Sequence, residues 1–425
     1  MNRGDDRAPG ADMMALIAEL FPIGRSITGD GLRQTLSILR RSIPLAIHEV
    51  PSGTPVLDWT VPPEWNVRDA YVANSRGERV IDVRESNLHL VGYSVPVRAR
   101  MRLDDLRPHL HTLPDHPGWI PYRTSYYAAG WGFCLRHRDY LAMPDDEYEV
   151  VIDSSLTDGH LSYGELHLPG DEADEVLLTT HVCHPSLAND NLSGIAVLTS
   201  LARMLAGAPR RLSYRILFIP GTIGAITWLA RNRDGVARIR HGLVLAGVGD
   251  RGAITYKRSR RGDATIDRAV RQVLRAGGAA HRILDFSPYG YDERQFCSPG
   301  FDLPVGRFSR SEHGTYPEYH TSADDLSFVS AASLADSYAT LVAVLSVLEG
   351  DEAFVNQCPY GEPQLGRRGL YAGSDEERLA RLWVLNQSDG RHSLLDIAER
   401  SGLAFAAIRE AATALAGAGL LTPVA

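Results

Sequence analysis

The stretch EVLLTTHVCHPSLANDNLSG, residues 175–194, decides the fold. It opens with an uninterrupted apolar run, Val176 to Leu178, which is typical of a strand buried on both faces of a parallel sheet. A polar loop follows this strand, and the pattern from Gly194 to Leu205 then predicts a helix. Similar apolar runs occur elsewhere in the chain, at 150–153, 215–220, 243–248 and 303–305. The alternation of such runs with helical patterns predicts an α/β domain whose mainly parallel sheet is sandwiched by helices.

The loop after the first of these strands carries two histidines and an aspartate, His181, His184 and Asp190. Ligands of parallel sheets collect beyond the carboxyl ends of the strands, which is where this loop lies. Imidazole and carboxylate together are typical ligands of catalytic zinc. A plainer interpretation is that Asp190 caps the helix and the histidines are ordinary loop residues. On this loop alone the two interpretations are equally open.

Two further loops carry residues of the same chemistry. In the loop 311–325, His320 is the better candidate for a ligand, whereas Asp324 and Asp325 are expected to be acids at the start of a helix. In the loop 290–296, Asp292 or Glu293 could be a ligand or a base. The alternative there is a surface ion pair with Arg294.

The composition excludes several classes of protein. The chain has 425 residues, 44% of them hydrophobic and 23% charged, which is ordinary for a globular protein. A net charge of −8 argues against a general polyanion binder. We expect no membrane span and no signal peptide, and therefore a cytoplasmic protein. The four cysteines are far apart and form no CxxC pair, so neither a disulfide framework nor a zinc ribbon is indicated.

The pattern along the chain divides it into three parts. Residues 52–153 are rich in Trp, Tyr, Val and Pro and are broken by turns, which predicts a small β-rich domain whose strands include Leu88 to Val95. This domain interrupts the α/β domain, predicted at 1–51 and 154–350. Asp30 is a possible N-cap for the second helix of the chain.

After a linker rich in Pro and Gly, residues 374–425 form the third part, with helices around Leu382, from Ser393 and from Phe405. Their spacing predicts a winged-helix-like domain. From Asp375 onward this part holds seven acids and five arginines, whereas phosphate binding needs surplus positive charge. We therefore expect packing or dimer contacts rather than DNA recognition.

Three motifs resemble one known family: CHPSLANDNLSG at 183–194, DERQFCSPG at 292–300 and YPEYHTSADD at 316–325. The family is that of bacterial aminopeptidase-like proteins, often found beside polysaccharide or secondary-metabolite genes and similar in fold to the zinc aminopeptidases. The resemblance extends over nearly the whole chain and includes FPIGRSITGDG at 21–31. It implies a peptidase-type domain interrupted by a β-rich domain and followed by a winged helix.

The resemblance also implies roles for particular residues. It makes His184 the first metal ligand, with His181 in reserve because relatives commonly have an aromatic residue there. Asp190 corresponds to the carboxylate that bridges two metals in the zinc aminopeptidases, and Asp292 and His320 correspond to one further ligand each. The implied cofactor is zinc.

The chain departs from the aminopeptidase pattern after its next buried strand, where those enzymes have two glutamates, a general base and a metal ligand. Here Gly221 and Thr222 stand in their place. Loss of a positioned base costs about 10² to 10⁴ in rate, and loss of a ligand favours one ion over two. Glu293 and Glu318 are the nearest candidates for a replacement base.

The sequence therefore predicts a metal-dependent aminopeptidase-like hydrolase of an amide or peptide bond, with its usual general base replaced by Gly221. The alternatives are a catalytically impaired relative that binds a small molecule or peptide, and a group-transfer enzyme that uses the same site. A DNA-binding regulator is disfavoured. The expected partner is a small-molecule or peptide substrate, and a homo-oligomer is left open.

Overall fold

A computed structural model of the protein describes residues 9–424. In chain order, its strands are β1 (Ala46–Pro51), β2 (Pro55–Val56), β3 (Trp59–Thr60), β4 (Glu64–Ala73), β5 (Arg79–Asp82), β6 (Val97–Arg102), β7 (Leu110–His111), β8 (Phe133–Cys134), β9 (Glu147–Thr157), β10 (His160–Leu168), β11 (Glu175–His181), β12 (Ser213–Ile219), β13 (Ile239–Leu245), β14 (Ile254–Lys257), β15 (His281–Leu284), β16 (Val305–Ser309), β17 (Ala353–Asn356), β18 (Asp389–Ser393) and β19 (Leu421–Pro423).

The α-helices are α1 (Pro9–Leu20), α2 (Asp30–Leu39), α3 (Leu103–Leu106), α4 (His137–Leu141), α5 (Gly194–Ala206), α6 (Ile223–Arg231), α7 (Thr265–Gly277), α8 (Glu293–Phe296), α9 (Ala331–Gly350), α10 (Asp375–Gln387), α11 (Leu394–Ser401) and α12 (Phe405–Gly417). Short 3-10 helices span Asn87–His89, Arg107–His109, Val236–Arg238 and Leu365–Arg368. The chain forms two compact units, one of residues 1–260 and 284–338 and one of 261–283 and 339–425.

The main sheet has eight strands in the order β1-β10-β12-β11-β13-β16-β14-β15. Its four central strands, β12, β11, β13 and β16, are mutually parallel. At one side of the sheet, β10 is antiparallel to both β12 and β1, and at the other side β14 is antiparallel to β16. The predicted α/β fold is thus confirmed, with a mixed sheet whose centre is parallel.

Burial explains why the central strands read as continuous apolar runs. Every residue of β11 is buried, and Val176, Leu177 and Leu178 are fully inaccessible to solvent. Helix α5 follows β11 and packs against it, as expected of the connection between neighbouring parallel strands. The carboxyl ends of these strands therefore present their loops together at one edge of the sheet.

The predicted β-rich region contains a four-stranded antiparallel sheet in the order β5-β4-β9-β6. The predicted strand from Leu88 to Val95 is wrong, because this stretch makes only single bridges, Leu90 with Phe133 and Gly92 with Thr124. Tyr93 has a φ of 67°, which interrupts the extended backbone that a strand needs.

The predicted cap of the second helix also differs. Helix α2 begins at Asp30 itself, and Gly29 occupies the N-cap position. The Asp30 carboxylate instead pairs with Arg33, one turn further along the helix.

The C-terminal unit contains α10, α11 and α12 and a three-stranded sheet in the order β18-β17-β19. The predicted N-cap at Ser393 is confirmed, since its hydroxyl accepts a hydrogen bond from the Asp396 amide. This sheet begins before the predicted boundary at residue 374, because Phe354 of β17 pairs with Pro423 of β19. A four-residue strand that lies just before the Pro- and Gly-rich stretch at 358–373 is too short to give a clear local signal.

Among residues 9–424, helix α9 is long and apolar enough to cross a membrane by length and composition. It has 20 residues and a mean hydropathy of 1.6, with 44% of its apolar window buried. The expectation of no membrane span therefore meets one candidate helix among the described residues. One such helix is weak evidence for a span, since a core helix passes the same test, and the cytoplasmic location stays a prediction.

The start of β11 carries a buried ion-pair cluster that should stabilise the sheet. Glu175 is 2% exposed, and its carboxylate lies 2.6 Å from Arg215 Nε and 3.0 Å from Arg238 Nε. Arg215 keeps a second partner in Glu165, and Arg238 is 53% exposed, so the cost is below the roughly 3–5 kcal/mol of an isolated buried charge. We expect Glu175→Gln to lower the free energy of unfolding in urea by about 1–3 kcal/mol, as for the loss of hydrogen bonds to charged groups. The control Glu172→Gln, whose carboxylate is 47% exposed beside Arg211, should cost less than about 1 kcal/mol. Equal losses would contradict the role of burial.

Candidate metal centre

Asp190 lies at the centre of the site and is fully buried. Its Oδ1 is 2.9 Å from Nε2 of His181, the last residue of β11, and its Oδ2 is 3.0 Å from Nε2 of His320. Nε2 of His184 lies 4.0 Å from the same Oδ2. One ligand atom from each of His181, His184 and Asp190 lies within 4.8 Å of the other two. The loops after β11 and after β16 thus bring three imidazoles to one carboxylate.

The backbone of the Asp190 loop is held by a second buried carboxylate. Asp324 Oδ1 accepts a hydrogen bond of 2.6 Å from the Asn189 amide, and Oδ2 accepts one of 2.8 Å from the Asp190 amide. Burial raises the pKa of Asp324 to about 8, although these two amides oppose the shift. Asp324 was expected at the start of a helix, but α9 begins only at Ala331. It is better described as a clamp on the loop that carries the central aspartate.

Protonation states at the site suit a cation. Burial lowers the pKa of His184 to about 3, so its imidazole is neutral near pH 7. The pKa of Asp190 lies well below its usual range, because the attraction of His184 and hydrogen bonds with His181 and His320 outweigh the effect of burial. Metal ligands must be deprotonated, and a neutral imidazole beside an ionised carboxylate meets that requirement.

Asp292 immediately precedes α8 and adds a carboxylate with one free oxygen. Its Oδ1 accepts a hydrogen bond of 2.6 Å from the Thr222 amide, whereas its buried Oδ2 has no hydrogen-bond partner. Burial raises the pKa of Asp292 to about 6, and the nearby His181 works against that shift. A buried oxygen without a partner needs an explanation, and a bound cation would supply one.

Glu293, the predicted catalytic residue, follows Asp292 and is fully buried. Its Oε1 lies 2.8 Å from Nζ of Lys257 and 3.9 Å from the guanidinium of Arg307, whereas its buried Oε2 has no hydrogen-bond partner. The alternative of a surface ion pair with Arg294 is wrong, because the carboxylate is internal and its partner is Lys257. Glu318 lines a different cleft, of about 820 Å³.

A cavity of about 430 Å³ opens beside the candidate ligands. It is lined by Ile27, Trp59, Tyr126, Tyr127, His181, Cys183, His184, Gly221, Thr222, Ile223, Ile226, Gly290, Tyr291, Asp292 and Tyr319. Both positions that replace the expected glutamates, Gly221 and Thr222, therefore face the site. A Cβ built on Gly221 would lie 3.4 Å from Cys183 Sγ and 3.7 Å from His181 Cβ, which is ordinary contact.

Two residues that contact the candidate histidines, Tyr122 and Arg25, were not predicted from the sequence. The ring of Tyr122 lies 5.2 Å from that of His184 and 5.1 Å from that of His320, and its amide donates a 2.8 Å hydrogen bond to the His320 carbonyl. The guanidinium of buried Arg25 donates one of 3.0 Å to the His184 carbonyl. Only the motif at 21–31 could have pointed to Arg25, and no local pattern marks Tyr122.

The fold is that of the aminopeptidases. BSAP, a zinc aminopeptidase from Bacillus subtilis, aligns with a TM-score of 0.58 over 80% of this chain and 94% of its own, at 14% identity. A peptidase M28 precursor from Shewanella amazonensis aligns with a TM-score of 0.55 over 80% of this chain and 92% of its own, at 12% identity. At these identities the likeness shows the fold alone.

Nearer relatives show the family. A protein of Clostridium acetobutylicum, described as a "putative polysaccharide biosynthesis protein with aminopeptidase-like domain", is 53% identical over 412 residues, 96% of this chain and 95% of its own. A crystal structure of a "putative peptidase" from that organism aligns with a TM-score of 0.95 and 52% identity over 98% of this chain and 96% of its own. The family described as "Domain of unknown function (DUF4910)" matches residues 14–351, and a winged helix-turn-helix family matches 352–423. The chain thus belongs to a family of aminopeptidase-like proteins with a C-terminal winged helix.

Proposed function

We propose that the protein is a metal-dependent hydrolase of the aminopeptidase type, acting on an amide or peptide bond. The observation that carries the proposal is the convergence of His181, His184 and His320 on the buried carboxylate of Asp190. Zinc in catalytic sites is typically held by three protein ligands from imidazole and carboxylate groups, with one position left open. The residues present fit that description.

In this proposal His181, His184 and Asp190 hold one zinc ion, with His320 and Asp292 beside it. A divalent ion bound there would polarise a scissile carbonyl and lower the pKa of a bound water. The chain's own part is orientation: Asp324 fixes the backbone of Asp190, and the Asn191 side-chain amide donates a 3.2 Å hydrogen bond to Nδ1 of His181, which leaves Nε2 of that ring facing Asp190. Hydrogen bonds of this kind to metal ligands contribute about 10- to 100-fold to affinity or activity.

The missing glutamate limits the proposed rate. Among the described residues that line the cavity there is no glutamate, and Gly221 faces the site where the base is expected. Oε1 of Glu293 is paired with Lys257, and Glu293 is not among the lining residues. We therefore propose slow hydrolysis. The same observation favours a second candidate function, a relative that binds a small molecule or peptide without cleaving it.

The biological setting is also a proposal. The Clostridium relative is described by its name as a polysaccharide biosynthesis protein, and we carry a biosynthetic role over to this chain. The surplus of acids from Asp375 onward, seven against five arginines, supports packing or dimer contacts for the winged helix rather than DNA binding.

Metal analysis of the purified full-length chain tests the proposal. We expect about one zinc ion per chain, and we expect excess zinc to raise the melting temperature, because a ligand that binds only the folded state stabilises it. His392→Ala is a control for the effect of removing any histidine that contacts an aspartate. His392 and Asp389 form a surface pair at 3.0 Å, the same distance as between His320 and Asp190 in the candidate site. It should leave zinc content unchanged. If the wild-type protein retains no divalent ion near stoichiometry and zinc does not raise its melting temperature, both the proposed metal site and the proposed hydrolase activity are refuted.

A further inference from the structure

The 430 Å³ cavity is lined by two chemically different sets of residues. The polar groups of His181, His184 and Asp292 belong to the site of the proposed reaction. The larger set forms an apolar wall that includes Ile27, Trp59, Tyr126, Tyr127, Ile223 and Tyr291. Pockets of this size that are mostly apolar with a few polar groups are typical of small-molecule sites.

The apolar wall directly adjoins the candidate ligands. The ring of Tyr291 stacks on that of His181, with centroids 5.0 Å apart and an interplanar angle of 20°. The ring of Tyr319 stacks on that of His320 at 4.0 Å. A substrate group that packs on this apolar wall would therefore lie next to the substrate bond that is proposed to react at the candidate ligands. The described lining residues include no Lys or Arg, so a charged group there would be poorly compensated.

Two aromatic residues of the β-rich region stand apart from the others in the lining. Trp59 is 44% exposed and Tyr127 is 50% exposed, although both are large and apolar. Their ring centroids lie 5.1 Å apart in an edge-to-face arrangement, a favourable geometry for aromatic pairs. The Tyr127 hydroxyl donates a 3.1 Å hydrogen bond to the Thr60 carbonyl, which fixes its ring beside Trp59. The pair is thus held in place while both rings remain partly exposed.

From these observations we infer that the substrate carries a large apolar group, preferably an aromatic ring, beside the bond that reacts, and that Trp59 and Tyr127 determine this selectivity. The inference rests on the proposed function for where the bond lies. It gives the β-rich region a direct part in substrate choice, since both residues come from the segment 52–153. Edge-to-face and stacked contacts favour a ring over an aliphatic group of equal area.

A pair of probes without metal-chelating groups tests the inference: N-acetyl-L-phenylalaninamide and N-acetylglycinamide, titrated into the full chain and followed by saturation-transfer NMR. We expect the aromatic probe to bind at least about tenfold more tightly than the glycine probe. Trp59→Ala and Tyr127→Ala should each reduce that ratio severalfold, and Trp59→Phe should preserve most of it. Tyr289→Ala is the control, because Tyr289 is 72% exposed and is absent from the lining.

The outcomes separate this inference from the proposed function. Because neither probe chelates, the discrimination should persist after dialysis against EDTA. Discrimination in a protein that binds no zinc would overturn the hydrolase and leave the aromatic site standing. Zinc binding with equal affinity for both probes would overturn the aromatic site, and so would a preference that Trp59→Ala, Tyr127→Ala and Tyr289→Ala alter alike. Circular dichroism of each variant excludes loss of folding as the cause.

Discussion

Asp190→Asn is expected to reduce zinc affinity by about a thousandfold or more, beyond the roughly 10- to 100-fold typical of losing a hydrogen-bond partner of a ligand. Asparagine keeps the shape of the side chain but removes the one negative charge to which three imidazoles are directed. Because the position is fully buried, solvent cannot compensate for the loss of this charge. Competition with a chromophoric chelator measures the affinity.

Asp325, an aspartate in the loop that also carries His320, supplies the control. Asp325 is partly exposed and only accepts hydrogen bonds from Ser327, so Asp325→Asn should bind zinc like the wild type. Unchanged affinity in Asp190→Asn would refute the proposed centre.

The two histidines of the same loop can be ranked in this assay. The family resemblance places His184 ahead of His181, whereas Nε2 of His181 lies nearer to the Asp190 carboxylate, at 2.9 Å against 4.0 Å. We expect both His181→Ala and His184→Ala to weaken zinc binding by more than about tenfold. A loss in one variant alone would assign the ligand to that residue.

Gly221→Glu is expected to raise the turnover of aminoacyl-p-nitroanilides by about 10² to 10⁴, the usual contribution of a positioned base. The site has room for the first atom of the new side chain, since the nearest neighbours of a Cβ at 221 are Cys183 Sγ at 3.4 Å and His181 Cβ at 3.7 Å. No positive φ at this glycine opposes the substitution. Wild-type turnover should be slow or undetectable.

Gly221→Gln is the matched control for this gain, because glutamine has nearly the shape of glutamate but cannot accept the proton. It should remain as slow as the wild type. If the glutamate variant gains nothing while its zinc content is normal, position 221 is not where the base acts, and another residue must be sought.

Local sequence patterns predicted the elements that depend on contacts between residues close together in sequence. The apolar run of β11 and the helix α5 follow from residues adjacent in sequence, and so does the Ser393 cap. Strand β17 was missed because its pairing partner β19 lies some sixty residues away in sequence. The stretch 88–95 was wrongly read as a strand because the turn at Tyr93 is imposed by its surroundings.

The residues of the candidate site likewise include some that the sequence predicted and some whose surroundings it did not. His181, His184 and Asp190 share one loop, so their spacing alone suggested a ligand cluster, and the family resemblance added His320 and Asp292. The environment of Glu293 could not be predicted, because its partner Lys257 lies 36 positions away, on strand β14. Whether a carboxylate is a free base or half of an ion pair depends on such distant contacts.

The contact between Tyr122 and His320 also bears on how a newly made chain matures. The segment around Ile120 is joined to Ser322 across 202 positions of sequence. At a synthesis rate of about 5–20 residues per second, the earlier segment leaves the ribosome roughly 10 to 40 seconds before the later one. His181, His184 and Asp190 emerge part-way through that interval and His320 follows at its end, so the nascent protein completes the proposed metal-binding pocket only after about three quarters of its 425 residues have been made.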